Sequence, residues 1–176
     1  NGGASWSNAF GAAIYGKSVT LINDIYFADA NRGWAAAKGD TAASPTRNFY
    51  YTINGGTNWT TVNVQYMYET GKGEYPELTG VSAVGDTVWV TGKLAAASVS
   101  SGVRALGAVT PQYIVYKSTD GGASFTPLAG AVTFGERTSL SKVQFLDANN
   151  GYVVADLLPS AATAMRVLPG CVYRSS

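Results

Sequence analysis

The chain has 176 residues, twelve of them basic and eleven acidic, for a net charge of +1, and it contains no histidine. Near-neutrality leaves no broad field for phosphate backbones or anionic lipid, so no nucleic-acid partner is expected, and the missing histidine removes the usual general base and the commonest metal ligand. Hydrophobic residues make up 46% and charged residues 13%, against about 25% charged in an average soluble domain. With 21 glycines, eleven tyrosines and four tryptophans, the mixture favours strands and tight turns. No apolar run approaches the roughly 18–20 residues that span a bilayer, so no transmembrane segment is expected. The single Cys171 has no disulfide partner within the chain and reads as a small apolar residue.

Self-comparison shows three kinds of segment recurring in one order, the mark of a repeat architecture. The first is met at once as a glycine-rich turn, Asn1-Gly2-Gly3-Ala4-Ser5-Trp6. An alternating strand with its turn follows, Ile22-Asn23-Asp24-Ile25-Tyr26-Phe27-Ala28-Asp29-Ala30-Asn31-Arg32-Gly33-Trp34, and a second strand is predicted from Trp34. After an irregular insertion over 39–47 comes a short aromatic strand ending in a hydroxyl, Phe49-Tyr50-Tyr51-Thr52. The turn returns as Asn54-Gly55-Gly56-Thr57-Asn58-Trp59, and its aromatic starts a fourth strand through Val64.

The order then repeats. A second insertion, 66–77, leads to a weaker copy of the alternating strand, Leu78-Thr79-Gly80-Val81-Ser82-Ala83-Val84, and its partner from Val88. A third insertion, 95–112, precedes Val115-Tyr116-Lys117-Ser118 and the turn Asp120-Gly121-Gly122-Ala123-Ser124-Phe125. The last round holds Leu140-Ser141-Lys142-Val143-Gln144-Phe145, each residue offset by 118 from its counterpart in the first round, then a strand from Tyr152, an insertion over 157–170, and Val172-Tyr173-Arg174-Ser175. Counted from turn to turn the repeats are 1–53, 54–119 and 120–176, one segment of about twelve strands cut within the turn motif at both ends.

The recurring turn is a hairpin device. A tight antiparallel connection needs positive φ at one or two positions, which glycine adopts without penalty: Gly2 and Gly3, Gly55 and Gly56, Gly121 and Gly122. The side chains of Asn1, Asn54 and Asp120 are expected to accept turn amides, the hydroxyls of Thr52, Ser118 and Ser175 to supply a further local bond, and Trp6, Trp59 and Phe125 to pack back over the sheet.

Thr52 to Trp59 and Ser118 to Phe125 resemble the Asp-box of BNR-repeat β-propellers, a group that includes sialidases, xyloglucanases, sortilin-type receptors and the photosystem II assembly factor. The segment Asp24 to Ala35 most resembles the assembly-factor type, with sortilin-type blades close behind. The resemblance covers nearly the whole chain and implies an all-β fold: a β-propeller of four-stranded antiparallel blades with Asp-box hairpins, about three of which are present. Rings of this family hold six to eight blades or more, so a partial ring is expected, its remaining blades coming from the same longer chain or from a second copy.

The box serves many activities, so function has to be sought in the side chains. A sialidase site needs an arginine triad, but Arg32, Arg47, Arg104, Arg137, Arg166 and Arg174 fall at spacings that show no convergence. A xyloglucanase-like site needs two facing carboxylates, and Asp24, Asp86, Glu136 and Asp156 lack a framing motif. No catalytic residue is assigned. Asp29 with Asn31, and Asp147 with Asn149, offer too few charges for Ca²⁺ and read as turn residues; no metal or cofactor is expected. The best binding candidate is the segment 65–76, where Tyr66, Tyr68 and Tyr75 are mixed with charge; Arg32 in a turn and Arg47 in an insertion complete the set. The bland alternative is that these tyrosines cover a blade edge.

The expectation is a non-enzymatic, extracytoplasmic scaffold or protein-interaction module, secreted, periplasmic or on the cell surface. The assembly-factor resemblance implies a protein partner or larger membrane complex bound through propeller loops. Two alternatives stay open: a glycan-active enzyme or lectin, and a structural cell-surface or filament subunit whose open sheet edges mediate assembly.

Overall fold

The computed structural model describes residues 4–6, 19–39, 47–69, 72–94, 113–128, 138–157 and 171–174. The alternating segments form long strands, since successive residues of a strand point to opposite faces and the pattern can then serve two packed layers. Strand β1 (Val19–Phe27) turns back into β2 (Gly33–Gly39), followed by β3 (Phe49–Thr52) and β4 (Thr60–Val62); the four make one antiparallel sheet in chain order. A separate hairpin, β5 (Tyr66–Glu69) with β6 (Lys72–Glu74), comes next. The second sheet holds β7 (Glu77–Val84), β8 (Thr87–Lys93), β9 (Tyr113–Ser118) and β10 (Thr126–Pro127). The third holds β11 (Thr138–Phe145), β12 (Gly151–Leu157) and β13 (Cys171–Arg174). Among the described residues there is no helix.

The four strand types read from the sequence are thus the strands of a sheet, in order. The sheets begin at the alternating strand, so they follow a different phase of the repeat from turn-to-turn counting, and each glycine-rich turn joins the third and fourth strands inside one sheet. The insertion 66–77 departs from its reading as irregular chain: it contains the β5–β6 hairpin and the first residue of β7. Strands of three or four residues are too short for alternation to announce them.

A β-bulge recurs at one repeat position. The register of β1 on β2 shifts between Ile22 and Asp24, that of β7 on β8 between Leu78 and Gly80, and that of β11 on β12 between Leu140 and Lys142. Asn23, Thr79 and Ser141 are therefore equivalent extra residues, each increasing the local twist of the first strand of its sheet.

The sheets stack through their faces. Trp34, Ala36 and Phe49 of the first sheet meet Val81, Ala83, Val88, Val90 and Tyr116 of the second in one buried cluster. In the next joint Trp89 of β8 stacks on Phe145 of β11, ring centroids 3.9 Å apart and nearly parallel, beside Leu140, Val143 and Val153. Burying such side chains contributes roughly 1.5–3 kcal/mol each and makes the joints the principal source of cohesion.

Because strands within each sheet run up and down, alternate connections lie at opposite ends. One end carries the β1–β2, β7–β8 and β11–β12 turns and the two boxes at 53–58 and 119–124. The segments 40–48, 63–76, 94–112 and 158–170 all leave and re-enter the described strands at the other end.

Candidate functional site

At the turn end the box side chains close their own hairpins. Thr52 Oγ1 accepts the N–H groups of Gly56 (3.0 Å) and Asn54 (3.3 Å) and donates to Asn54 Oδ1 (3.0 Å), which accepts the Asn58 N–H at 2.9 Å. Ser118 repeats the pattern with Gly122 (2.8 Å), Asp120 N–H (3.3 Å) and Asp120 Oδ1 (2.7 Å), and Asp120 Oδ1 accepts the Ser124 N–H at 2.9 Å. Both glycines of each turn have positive φ, 66° and 85° at Gly55 and Gly56, 73° and 97° at Gly121 and Gly122. The hydroxyls of Ser124 and Ser118 and the Ser124 N–H hold the Asp120 carboxyl well below the usual carboxylate range.

The boxes are also joints. Gly55 N–H donates to the Asn31 carbonyl and Gly121 N–H to the Asp86 carbonyl, each at 2.9 Å, so each box is bound to the first turn of its own sheet. Trp34 Nε1 of the first sheet donates to the Gly121 carbonyl of the second at 2.7 Å, and Phe49 meets Phe125 edge-on at 4.7 Å. Arg32 adds a charged link, with Nε 2.9 Å from Asp29 Oδ2 and Nη1 3.2 Å from Asp86 Oδ1. The Arg32 side chain, with the N–H groups of Arg32 and Asn31, lowers the Asp29 carboxyl to about 2. Asp147 accepts the N–H groups of Asn149 and Asn150 in the equivalent turn of the third sheet and is lowered by them. These carboxylates are committed to turns, and among the described residues no three His, Cys, Asp or Glu side chains come together.

Between the ends, the first strands of the three sheets lie side by side. Asp24, only 14% exposed, accepts the Val81 N–H at 3.1 Å and pairs with Lys142 Nζ at 3.2 Å. Asp24, Gly80 and Lys142 hold the same repeat position, and the middle one has no room for a side chain: a Cβ on Gly80 would sit 3.0 Å from Lys142 Cα and Val143 N.

At the insertion end the organising residue is Asn48. Fully buried just before β3, it donates to the carbonyls of Val64 and Pro76, each at 2.9 Å, and accepts the Val64 N–H at 2.8 Å. Val64 and Pro76 flank the β5–β6 hairpin, so one side chain clamps both stems of that insertion to the first sheet. Lys38 Nζ approaches Glu77 Oε2 at 3.4 Å beside it. Burial pushes the Tyr50 hydroxyl up to about 12, and it donates to the Arg47 carbonyl at 3.4 Å.

No known family model matches this chain, and no curated protein matches it. Among solved structures, YCF48 bound to D1 peptide is similar with a TM-score of 0.54 and 16% identity, over 90% of this chain and 37% of that one. The fold is that of a β-propeller. The four-stranded sheets are its blades, and the chain spans little more than a third of the length of that structure.

The propeller frame divides the five binding candidates. Arg47, Tyr66, Tyr68 and Tyr75 belong to the insertion end of the first two blades, whereas Arg32 lies on the turn end in a network of ion pairs. Tyr66 and Tyr68 lie on strand β5, where Tyr66 pairs with Glu74 in register, and Tyr75 is half-buried between β6 and β7. Of the box residues, Asn1, Gly2, Gly3 and Ser175 lie outside the described residues. Trp6 is 90% exposed, while Trp59 meets Phe27 edge-on at 6.1 Å. Among the carboxylates, Asp24 is paired inside, Asp86 sits in a turn, Asp156 pairs opposite Ser139 in β12, and Glu136 lies outside the described residues. Sequence reasoning missed Asn48. Its only signal is a polar residue directly ahead of an aromatic strand, which any loop supplies.

Proposed function

We propose that this chain is a non-enzymatic, extracytoplasmic propeller scaffold that binds a protein partner through the end of its blades that carries the insertions. The sorting of the connections carries this reading: short, internally bonded turns occupy one end, and every long insertion opens at the other. A rigid sheet stack that presents variable loops at one end is a common plan for recognition. Asn48 supports it by anchoring the insertion that holds Tyr66, Tyr68 and Tyr75. The absence of histidine and the engagement of Asp24 and Asp86 in structural ion pairs speak for binding over hydrolysis. YCF48 was solved with a peptide, which supports a peptide segment of a partner protein as the class of ligand here.

The test is selection of peptides from a display library on the immobilised chain, with an oligosaccharide array run beside it. Selected peptides are expected to lose at least about tenfold in affinity, about 1.4 kcal/mol, when Tyr66, Tyr68 and Tyr75 are all changed to Ala, and to be indifferent to Arg32→Ala at the opposite end. Peptide binding that survives the triple change defeats the assignment of the face. Binding to oligosaccharides alone defeats the protein-partner reading in favour of a lectin.

A further inference from the structure

Asn-Gly occurs at Asn1, Asn54 and Asn150, and it is the dipeptide in which an asparagine amide is lost most readily, because no side chain shields the glycine nitrogen that attacks it. Asn1 lies outside the described residues. Asn54 is fixed on both sides of the reacting pair: its Oδ1 accepts the Thr52 hydroxyl and the Asn58 N–H, and the Gly55 nitrogen is engaged with the Asn31 carbonyl at 2.9 Å. Its acidic form would also do no harm there. Asp120 stands at the same place in the second box and accepts the matching hydroxyl and N–H of Ser118 and Ser124.

Asn150 differs in its surroundings and in what its loss would do. Half-buried at the end of the β11–β12 turn, it donates from Nδ2 to both oxygens of Asp147, at 3.0 and 2.9 Å. Asp147 is exposed, so water can take over these bonds when the amide swings away. The repeat offset of 118 makes Asn150 the counterpart of Arg32, whose Nε holds Asp29 Oδ2 at 2.9 Å in the first blade. The glycine that follows is compulsory in both turns: a Cβ would lie 2.6 Å from the Phe27 ring at Gly33 and 2.5 Å from the Phe145 ring at Gly151. Packing thus imposes the glycine, and only the third blade sets an asparagine before it.

We infer that Asn150 is a site of spontaneous deamidation and acts as a slow charge switch in the third blade. The Gly151 nitrogen attacks Asn150 Cγ, the Cγ–Nδ2 bond breaks, and ammonia leaves with the proton given up by the glycine N–H. Water then opens the cyclic imide at either carbonyl, giving aspartate or the isomer whose chain runs through Cγ. Either product leaves a second carboxylate in a turn that already holds Asp147. In the starting chain the Asn149 N–H and the Asn150 side chain and N–H stabilise the Asp147 charge. The reaction removes one of those donors and sets a like charge in its place.

The experiment is peptide mapping by mass spectrometry of the purified 176-residue chain during incubation in warm, mildly alkaline buffer, with urea midpoints taken on the same samples. Exchange of amide for carboxyl is expected at Asn150 at least about tenfold faster than at Asn54, a barrier difference of about 1.4 kcal/mol. The midpoint is expected to fall as that peptide converts. Asn150→Asp should lower the midpoint of a fresh sample, and adding Asp147→Asn, which exchanges acid and amide between the two positions, should restore most of it. Asn150→Arg copies the first blade and is expected to keep both the midpoint and an unmodified turn throughout the incubation. An Asn150 peptide that stays intact, or converts no faster than Asn54, overturns the inference. Conversion that leaves the midpoint where it was overturns the switch, as does a loss in Asn150→Asp that Asp147→Asn fails to relieve.

Discussion

Gly121 and Gly122 share a turn and a positive φ but not their surroundings. A Cβ on Gly121 would meet nothing within 4 Å, whereas one on Gly122 would lie 2.9 Å from Phe49 Cε1 and 3.2 Å from Trp34 Cδ1. Gly121→Ala should therefore cost only the left-handed backbone term, about 1–2 kcal/mol. Gly122→Ala must also displace two rings at a blade joint, for an expected total of about 3 kcal/mol. Urea midpoints at unchanged slope measure both; equal losses would mean that the joint yields to the added methyl. The need for two glycines was legible in the sequence, since positive φ is a demand of the local backbone. Which of them also guards the joint was not, because Trp34 reaches this turn from 87 residues away.

At the level of elements, the insertion end depends on one amide. Replacing Asn48 by Ala leaves the Val64 N–H and the Val64 and Pro76 carbonyls buried without the partner they have now. The expected loss is about 3 kcal/mol, together with faster amide exchange at Val64 and in β5–β6 than in β1 and β2. Uniform exchange across the first blade would show that the hairpin is held by other contacts. The long strands were readable because eight or nine alternating residues give a signal that chance seldom matches. The β5–β6 hairpin was not, since its short strands fall below that length. The three bulges also escaped, as a one-residue register shift changes the pairing partner without altering which residue types are apolar.

For the molecule as a whole, the turn end is the acid-sensitive one. Asp29, Asp120 and Asp147 all lie there, and each is held below the ordinary carboxylate value by hydrogen bonds made only in the folded state. A group whose folded pKa is depressed stabilises the fold above its unfolded pKa, and that contribution disappears as pH falls through the folded value. Stability should thus be level above about pH 5 and decline from about pH 4 downward, with the Asp29 share lost as pH approaches about 2. In the double variant Asp29→Asn, Asp147→Asn the decline should be shallower, and urea melts across this range are the measurement. A slope unchanged by the double variant would place the acid sensitivity elsewhere. Repeat order and blade architecture were visible in the sequence because the motifs recur in register. The separation into a bonded end and an open end was not, since it depends on the parity of the connections rather than on their composition. One further consequence concerns the order of the units. An acid, a glycine and a base occupy a single repeat position at Asp24, Gly80 and Lys142, and the outer two reach each other only because the middle one is bare. The three units are not interchangeable at this position: an acid or a base in the middle unit would wedge a side chain against the neighbouring strand, where Gly80 leaves room. That single position fixes the order of the three units along the chain.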